Sequence, residues 1–157
     1  MFKKSNLFFI DLEQTIIESW DNPNLINVQR ISTWLKQERA DELRIFSFAI
    51  WDDKDKRKFD NDIKPAIQLA LDLPVVSWPS VQDMMRADFN HTGIRFEEGH
   101  AVSEFIQLRG KEQGFFNFVC NQYDFDRAVL VDDVVPDLTR THRIKGWSVE
   151  FWNVDSL

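Results

Sequence analysis

The chain has 157 residues, of which 43% are hydrophobic and 29% charged, so it is long enough to fold as one domain around a single core. Its formal net charge of −7 argues against general nucleic-acid binding, which usually requires a basic surface. A single cysteine, Cys120, excludes an internal disulfide. No apolar stretch reaches the length of a signal peptide or a membrane-spanning helix, so we expect a cytoplasmic protein without a membrane partner.

The first element is a short apolar strand that ends in carboxylates. Leu7–Ile10 has the continuous apolar character of a strand covered on both faces of a parallel sheet. Asp11 and Glu13 follow where this strand would end, at the edge where open α/β sheets bind ligands. Such a pair can supply a nucleophile or metal ligand and a proton carrier. A solvated acidic turn is the alternative.

Helical and strand patterns alternate in the next part of the chain. Apolar spacing predicts a helix over about 26–40, and the apolar run Leu43–Ile50 predicts a second strand. The charged run Trp51–Lys58 predicts a solvated loop and the start of a helix. That helix covers about 60–72, with Pro65 in its first turn, where a missing N–H costs little.

The middle of the chain is harder to interpret. Val75–Trp78 predicts a short third strand. Residues 80–100 show no clean period and predict a loop with short elements. Helical spacing returns over about 101–108 and again over 115–120, as two helices or as one helix interrupted by glycine.

Two strands are predicted near the end of the chain. Ala128–Val131 is a short apolar run, and Ser148–Val154 alternates well enough for a final strand at a sheet edge. Thr139–Lys145 between them predicts a short helix or an exposed turn.

Strands that alternate with helices predict an α/β fold in one domain, residues 1–157. We expect a Rossmann-like three-layer α/β/α sandwich with a mainly parallel sheet of about five strands. The expected strand order across the sheet is Val75–Trp78, Leu43–Ile50, Leu7–Ile10, Ala128–Val131, Ser148–Val154.

A second group of carboxylates follows the fourth predicted strand. Asp132 and Asp133 come directly after Ala128–Val131, and Asp137 lies four residues further on. Neighbouring parallel strands would bring these side chains within a few ångströms of Asp11, where like charges raise each other's pKa. A Mg²⁺ ion relieves that repulsion by accepting carboxylate oxygens. The pattern therefore favours a Mg²⁺ site over two unrelated solvated turns.

Three motifs together resemble those of the haloacid dehalogenase (HAD) superfamily. Asp11-Leu12-Glu13-Gln14-Thr15 resembles the first motif, Asp-x-Asp-x-Thr after an apolar strand, in the form found in small capless phosphatases that use an aspartate nucleophile. Ile45-Phe46-Ser47 is similar to the second motif, a strand that ends in Ser or Thr. Val129–Asp133 with Asp137 is similar to the fourth, an acidic pair with a further Asp.

The resemblance implies roles for the residues of the first two motifs. Asp11 would be the nucleophile that forms an aspartyl phosphate, and also a Mg²⁺ ligand. Glu13 would be the acid/base, with its backbone carbonyl facing the metal. Ser47 would hydrogen-bond a phosphate oxygen, although a strand-end hydroxyl satisfied by nearby backbone is an equally good interpretation.

The resemblance also implies the remaining site residues. Asp133 would be a metal ligand, supported by Asp132 and Asp137 through water or hydrogen bonds. The third motif is a basic residue that offsets phosphate charge. Lys111 is the candidate for this residue, and Arg109 is the alternative. Lys111 could equally be an ordinary solvated side chain beside Gly110, without a role in the site.

Glu13 departs from the family pattern, which has Asp at this position. The extra methylene moves the carboxyl by about 1.5 Å, and a misplacement of that order can cost about 10²-fold in rate. Two functions therefore remain open. One is a Mg²⁺-dependent phosphomonoester hydrolase, and the other is a HAD-fold binding or regulatory protein that has lost turnover.

The chain has little room for the cap domain that usually selects substrates in this superfamily. Only a short flap fits between Thr15 and Ile26, and Pro79–His100 cannot hold a full cap. An open site suggests a substrate with its own bulk, such as a phosphorylated protein or a nucleic-acid end, or else an oligomer that closes the mouth. A phosphorylated small molecule as substrate, and a monomer or a small homo-oligomer as the assembly, both stay open. Trp20 and Trp51 are candidates to line the mouth, with helix packing as the more ordinary role.

Overall fold

The structure, a computed structural model, describes residues 4–96, 101–142 and 146–157. The strands are β1 Lys4–Ile10, β2 Leu43–Ile45, β3 Val75–Ser77, β4 Phe125–Asp132, β5 Leu138–His142 and β6 Trp147–Asn153. The helices are α1 Val28–Gln37, α2 Asp53–Lys58, α3 Lys64–Leu71, α4 Val81–Thr92 and α5 Ala101–Gln122. A π-helical turn, Phe59–Ile63, joins α2 to α3, and a 3₁₀ turn, Val154–Ser156, follows β6.

The six strands form one sheet in the order β3-β2-β1-β4-β6-β5. Five of them are parallel, and only β5 runs antiparallel, alongside β6. This order confirms the predicted α/β architecture and the predicted arrangement of the five parallel strands. Ile10 pairs with Val131, so β1 and β4 end side by side at the carboxyl edge of the sheet.

Alternate residues of each central strand face two separate cores, which makes the fold a three-layer sandwich. In β1, Phe8 and Ile10 pack in the core that α1 and α3 cover, while Leu7 and Phe9 pack in the core under α4 and α5. Both cores are fully buried along these strands. Burial on both faces explains why the strands of the sequence are apolar throughout instead of alternating with polar residues.

The ring of Phe115 anchors α5 to the centre of the sheet. It meets the rings of Phe9, Phe46 and Phe151 edge-on, with centroids 5.0, 5.2 and 5.7 Å apart. Such edge-to-face pairs add about 0.5–1.5 kcal/mol beyond the burial of their surface. The part of α5 around Phe115 is therefore held firmly over β1 and its neighbours.

The second strand is shorter than its apolar run predicts, because the chain leaves the sheet after Ile45. Phe46 still donates its backbone N–H to Ile10, but the next turn is closed by Ser47, whose Oγ accepts from the backbone N–H of Ala49. Helix α2 then begins at Asp53 within the charged run, with Asp52 as its N-cap. Pro65 lies in the first turn of α3, as predicted.

The prediction of an irregular segment at 80–100 is wrong for the residues that form α4. Ser80 and Asp83 form a capping box, in which each side chain accepts a hydrogen bond from the other residue's backbone N–H. The Ser-x-x-Asp spacing after Pro79 was the sequence signal for this helix. Helix α4 packs on α5 as part of the outer layer of the sandwich. Residues 97–100 lie outside the described ranges.

The prediction of a helix or turn at 139–145 is wrong for residues 139–142, which belong to β5. This strand pairs antiparallel with β6, so β6 is not the edge strand that its alternating pattern suggested. Pairing along a neighbouring strand decides the conformation here, and local sequence carries little information about it. Residues 143–145 lie outside the described part.

Helix α5 is interrupted at Gly110, which has φ 66° and ψ −179°. Essentially only glycine adopts this backbone conformation, so the residue divides α5 into two helical halves. One helix with a glycine interruption was among the predicted alternatives. Within the described ranges, neither α5 nor any other helix is long and apolar enough to cross a membrane.

The capping box makes a prediction about stability. Replacing Ser80 with Ala removes the side-chain acceptor for the Asp83 N–H, so the free energy of unfolding should fall by about 1 kcal/mol. Urea unfolding measures the change. Ser32→Ala, inside α1, is the matched control and should be neutral or slightly stabilising, because alanine is the better helix former and no cap is lost. Equal effects at the two positions would contradict the capping role.

Candidate functional site

Three carboxylates meet at the carboxyl ends of β1 and β4. Asp11 donates its backbone N–H to the Val131 carbonyl at 2.9 Å, which extends the pairing of the two strands by one residue. One oxygen each from Asp11, Asp132 and Asp133 lies within 4.8 Å of the others. The adjacent strand ends predicted from the sequence thus bring these side chains together.

Asp132 is the most deeply buried member of this carboxylate trio. Its Oδ1 accepts from the backbone N–H of Asp133 at 2.8 Å, but no donor among the described residues reaches its Oδ2. The pKa of Asp132 is raised to about 8, mainly by burial and to a smaller extent by repulsion from Asp11. The positive charge of Lys111 acts in the opposite direction. The bare oxygen is therefore satisfied either by a proton shared with Asp11 or by a bound cation.

Lys111 supplies positive charge to the trio. Its Nζ lies 3.1 Å from Asp11 Oδ1, with both side chains largely buried, and 4.4 Å from the centre of the Phe48 ring. Lys111 is the first residue after the break at Gly110, so the second half of α5 presents it to Asp11. Of the two basic candidates, Lys111 reaches the site, whereas Arg109 pairs with Asp88.

Ser47, in the loop after β2, lines one cleft together with Asp11, Lys111 and Asp133. It is buried, and its Oγ accepts from the Ala49 N–H at 3.2 Å, which leaves its O–H free to donate. The structural role suggested for this hydroxyl is therefore present. It is compatible with a further hydrogen bond into the cleft.

Glu13 lies at the cleft but outside the carboxylate trio. Its Oε2 accepts from the backbone N–H of Trp20 at 2.8 Å, which ties it to the far end of its own loop. The turn is compact, because the Leu12 carbonyl accepts from three successive N–H groups at 3.0–3.1 Å. Gln14 adopts a positive φ of 60° there, an uncommon conformation for a residue with a side chain.

Neither of the two tryptophans suggested for the mouth of the site lines the cleft that holds Asp11 and Lys111. Trp20 is half-buried against one core, and Lys58 Nζ lies 4.7 Å from the centre of its ring. Trp51 is 44% exposed, and its indole N–H donates to the Phe48 carbonyl at 2.8 Å. Trp51 therefore supports a residue that lines the cleft.

Asp137 is not part of the carboxylate trio and is linked to it through Asn153. It is exposed, and its Oδ1 accepts from the backbone N–H of Asn153 at 2.9 Å. The side chain of Asn153 donates in turn to the carbonyls of Asp133 and Val135, at 3.0 and 3.1 Å. Asp137 and Asn153 together hold the loop that carries Asp133. Asn153 was not predicted from the sequence, because nothing local marks a residue at the end of β6 as a partner of Asp133.

These residues line a shallow cleft of about 270 Å³, formed by Asp11, Glu13, Gln14, Ser47, Phe48, Ala49, Lys111 and Asp133. A larger cleft of about 610 Å³ lies beside β3 and α4, but it gathers no comparable set of reactive groups. The smaller cleft is the candidate site because of the reactive side chains that line it, and not because of its volume. Its carboxylates, ammonium and hydroxyl can bind a divalent cation together with an anionic group.

The raised pKa of Asp132 predicts how the metal-free protein responds to pH. The folded state holds this proton up to about pH 8, while the unfolded carboxyl releases it near 3.8. The stability gained from the proton is thus complete below pH 3.8 and is lost as pH rises towards 8. Asp132→Asn cannot ionise, so it should gain stability relative to the wild type between pH 5 and pH 8. Urea unfolding in a chelator measures both proteins, and a difference independent of pH would contradict the assignment.

Comparisons of the chain with protein-family models, with curated proteins and with solved structures find no match. A functional assignment therefore rests on the residues and their geometry.

Proposed function

We propose that the protein is a Mg²⁺-dependent phosphomonoester hydrolase that works through an aspartyl phosphate on Asp11. One observation carries the proposal: buried carboxylates from two adjacent strand ends meet the ammonium group of Lys111, 3.1 Å from Asp11. A site for phosphoryl transfer needs both a cation-binding group and a positive charge for the phosphate oxygens. The resemblance of these residues to the HAD motifs suggests the same chemistry.

The trio suits Mg²⁺ in both donor type and spacing. Carboxylate oxygens are its preferred protein ligands, and two oxygens on one Mg²⁺ lie at most about 4.2 Å apart, twice the Mg–O distance. The three oxygens already lie within 4.8 Å of one another, so small side-chain rotations complete the arrangement. The Asp132 Oδ2 without a donor provides a buried oxygen that a cation would satisfy.

The proposed reaction has two steps. A carboxylate oxygen of Asp11 attacks phosphorus, the bond to the substrate oxygen breaks, and protonated Glu13 gives its proton to that leaving oxygen. Glu13 then takes a proton from a water molecule that attacks the phosphoryl group, which breaks the bond to Asp11 and releases inorganic phosphate. Splitting the hydrolysis in this way replaces one difficult displacement with two easier ones.

Other groups of the cleft bind and orient the phosphoryl group. The Lys111 ammonium offsets its negative charge, and the free O–H of Ser47 donates to one of its oxygens. Bound Mg²⁺ would supply further positive charge to the same oxygens. The cleft is open and about 270 Å³, which fits a phosphate group carried on a protein, a nucleic-acid end or a small molecule.

The second candidate is a binding or regulatory protein built on the same site. The observation that favours it is the hydrogen bond from the Trp20 N–H to Glu13 Oε2. This contact gives Glu13 a structural function in its loop, independent of proton transfer. In this alternative, the carboxylate trio and Lys111 bind a cation and an anion without turnover.

The metal proposal predicts stabilisation by Mg²⁺. A ligand that binds only the folded state raises the free energy of unfolding by RT ln(1 + [L]/Kd), about 2.7 kcal/mol at a hundredfold excess over Kd. Millimolar Mg²⁺ should therefore raise the melting temperature of the wild type. Asp133→Asn should lose most of this increment, measured by thermal unfolding with and without Mg²⁺.

The matched control for this measurement is Asp72→Asn. Asp72 is exposed at the end of α3, on the side of the sheet where β3 begins, away from the carboxyl ends of the strands. It should keep the full Mg²⁺ increment. A wild-type melting temperature unchanged by millimolar Mg²⁺ would count against the metal site.

The proposed role of Glu13 predicts a dependence on the leaving group. Glu13→Gln keeps size and hydrogen bonding but cannot donate a proton on demand. The rate with an alkyl phosphate should fall about 10²-fold or more, the usual scale for general acid catalysis. With para-nitrophenyl phosphate, whose leaving oxygen needs little protonation, the loss should be much smaller. Steady-state phosphate release measures both, and Asp11→Asn should abolish both.

The matched control for Glu13 is Glu18→Gln, because Glu18 is exposed in the same loop and its side chain accepts hydrogen bonds from the side-chain amides of Asn22 and Asn24. It should leave both rates near the wild-type values. A wild type that binds Mg²⁺ and orthophosphate but hydrolyses neither ester would favour the binding protein. Recovery of activity in Glu13→Asp would identify the glutamate as the cause of the lost turnover.

A further inference from the structure

Lys111 follows a residue whose backbone conformation is open essentially to glycine alone. Lys111 follows Gly110 directly, and the backbone of Gly110 turns between the two halves of α5 with φ 66° and ψ −179°. A Cβ at Gly110 would meet no atom within 4 Å, so the backbone faces open space on that side. Glycine also has the widest choice of conformations. The angle between the halves therefore depends on the contacts that each half makes with its surroundings, and Lys111 lies in the first turn after the break.

One buried carboxylate binds both halves of α5. Asp88 on α4 is 1% exposed, and its two oxygens accept from Arg109, from Nε at 2.9 Å and from Nη2 at 3.0 Å. Its Oδ1 also accepts from the side chain of Asn117 at 2.7 Å. Arg109 is the last residue before the break at Gly110, and Asn117 lies in the half that follows it.

The two parallel hydrogen bonds between Arg109 and Asp88 restrict how the two side chains can be oriented relative to each other. A guanidinium held by two parallel hydrogen bonds cannot rotate freely about one of them. Both partners are largely buried, so solvent does not compete strongly for these bonds. Asp88 therefore fixes the orientation of one half of α5 relative to the other.

We propose that Asp88 is a positioning residue for Lys111: by binding Arg109 and Asn117 on either side of the Gly110 break, it sets the direction from which Lys111 approaches Asp11. Asp88 itself stays out of the cleft and acts only through the backbone of α5. Because Lys111 is assigned to the phosphoryl group, this inference rests on the proposed function.

The test separates positioning from general stability with a double-mutant cycle. Orthophosphate binding in saturating Mg²⁺ is measured by calorimetry for the wild type, Asp88→Asn, Lys111→Met and the double variant. Each single change should weaken binding about 10-fold or more, the scale of a lost charge-assisted hydrogen bond. The double variant should bind no more weakly than Lys111→Met alone, because Asp88 acts through Lys111.

Two further variants serve as control and substitute. Asp83→Asn lies on the same helix and loosens its capping box and its pairs with Lys56 and Arg86, so it should lower the melting temperature while keeping orthophosphate affinity. Arg109→Lys keeps the charge but loses the two-nitrogen contact. It replaces Asp88→Asn in the cycle if that variant does not fold, with the same expectation.

The outcomes distinguish this inference from the proposed function. Wild-type affinity in Asp88→Asn, or an equal loss from Asp88→Asn with and without Lys111, overturns the positioning role. If the wild type binds no orthophosphate, the proposed function fails, and the same four proteins are compared by urea unfolding without ligand. A smaller midpoint shift from Asp88→Asn in the Lys111→Met background then supports the coupling, and equal shifts overturn it.

Discussion

The site depends on the electrostatic cost of gathering carboxylates at the carboxyl ends of β1 and β4. Parallel pairing of these strands, continued by Asp11 and Val131, leaves Asp11 and Asp132 side by side in a largely buried position. Burial and mutual repulsion both disfavour the ionised pair, which is why the pKa of Asp132 rises to about 8. Such an arrangement stays folded only with compensating positive charge or a retained proton. The proposed Mg²⁺ ion and the ammonium of Lys111 are the two sources of that charge.

The requirement for positive charge connects the site to both outer layers of the fold. Lys111 comes from α5, which Phe115 anchors to the sheet, and the direction of α5 at Gly110 is set by contacts with α4 through Asp88. On the other side, Lys58 at the end of α2 donates from its Nζ to the Trp20 carbonyl, and the Trp20 backbone N–H donates to the Glu13 carboxylate. The loop with Glu13 and the lysine of the site are thus each held by a helix outside the cleft. Changes in those helices are expected to act on the site without touching it.

The local sequence pattern was sufficient to predict the main architecture and the position of Asp11 and Glu13 after the first strand. Apolar runs of strand length, separated by helical stripes, predicted the five parallel strands, because burial on both faces demands continuous apolar sequence. The expected order of these strands is confirmed as well. The capping box at Ser80 was also a local signal, and its omission led to the error over α4. In contrast, β5 exists because it pairs with β6, and no periodicity within 138–142 predicts that pairing.

The sequence by itself determined that Asp11, Asp132 and Asp133 follow apolar strands, since strand ends and the residues beyond them are local properties. Only the tertiary structure decided that Lys111 and not Arg109 reaches Asp11, because the choice depends on the break at Gly110 and on the partner that Asp88 offers Arg109. The link from Asp137 through Asn153 to the Asp133 loop likewise joins separate elements of the chain. Hydrogen bonds between residues distant in sequence leave no periodic trace, because they depend on the sheet to bring their elements together.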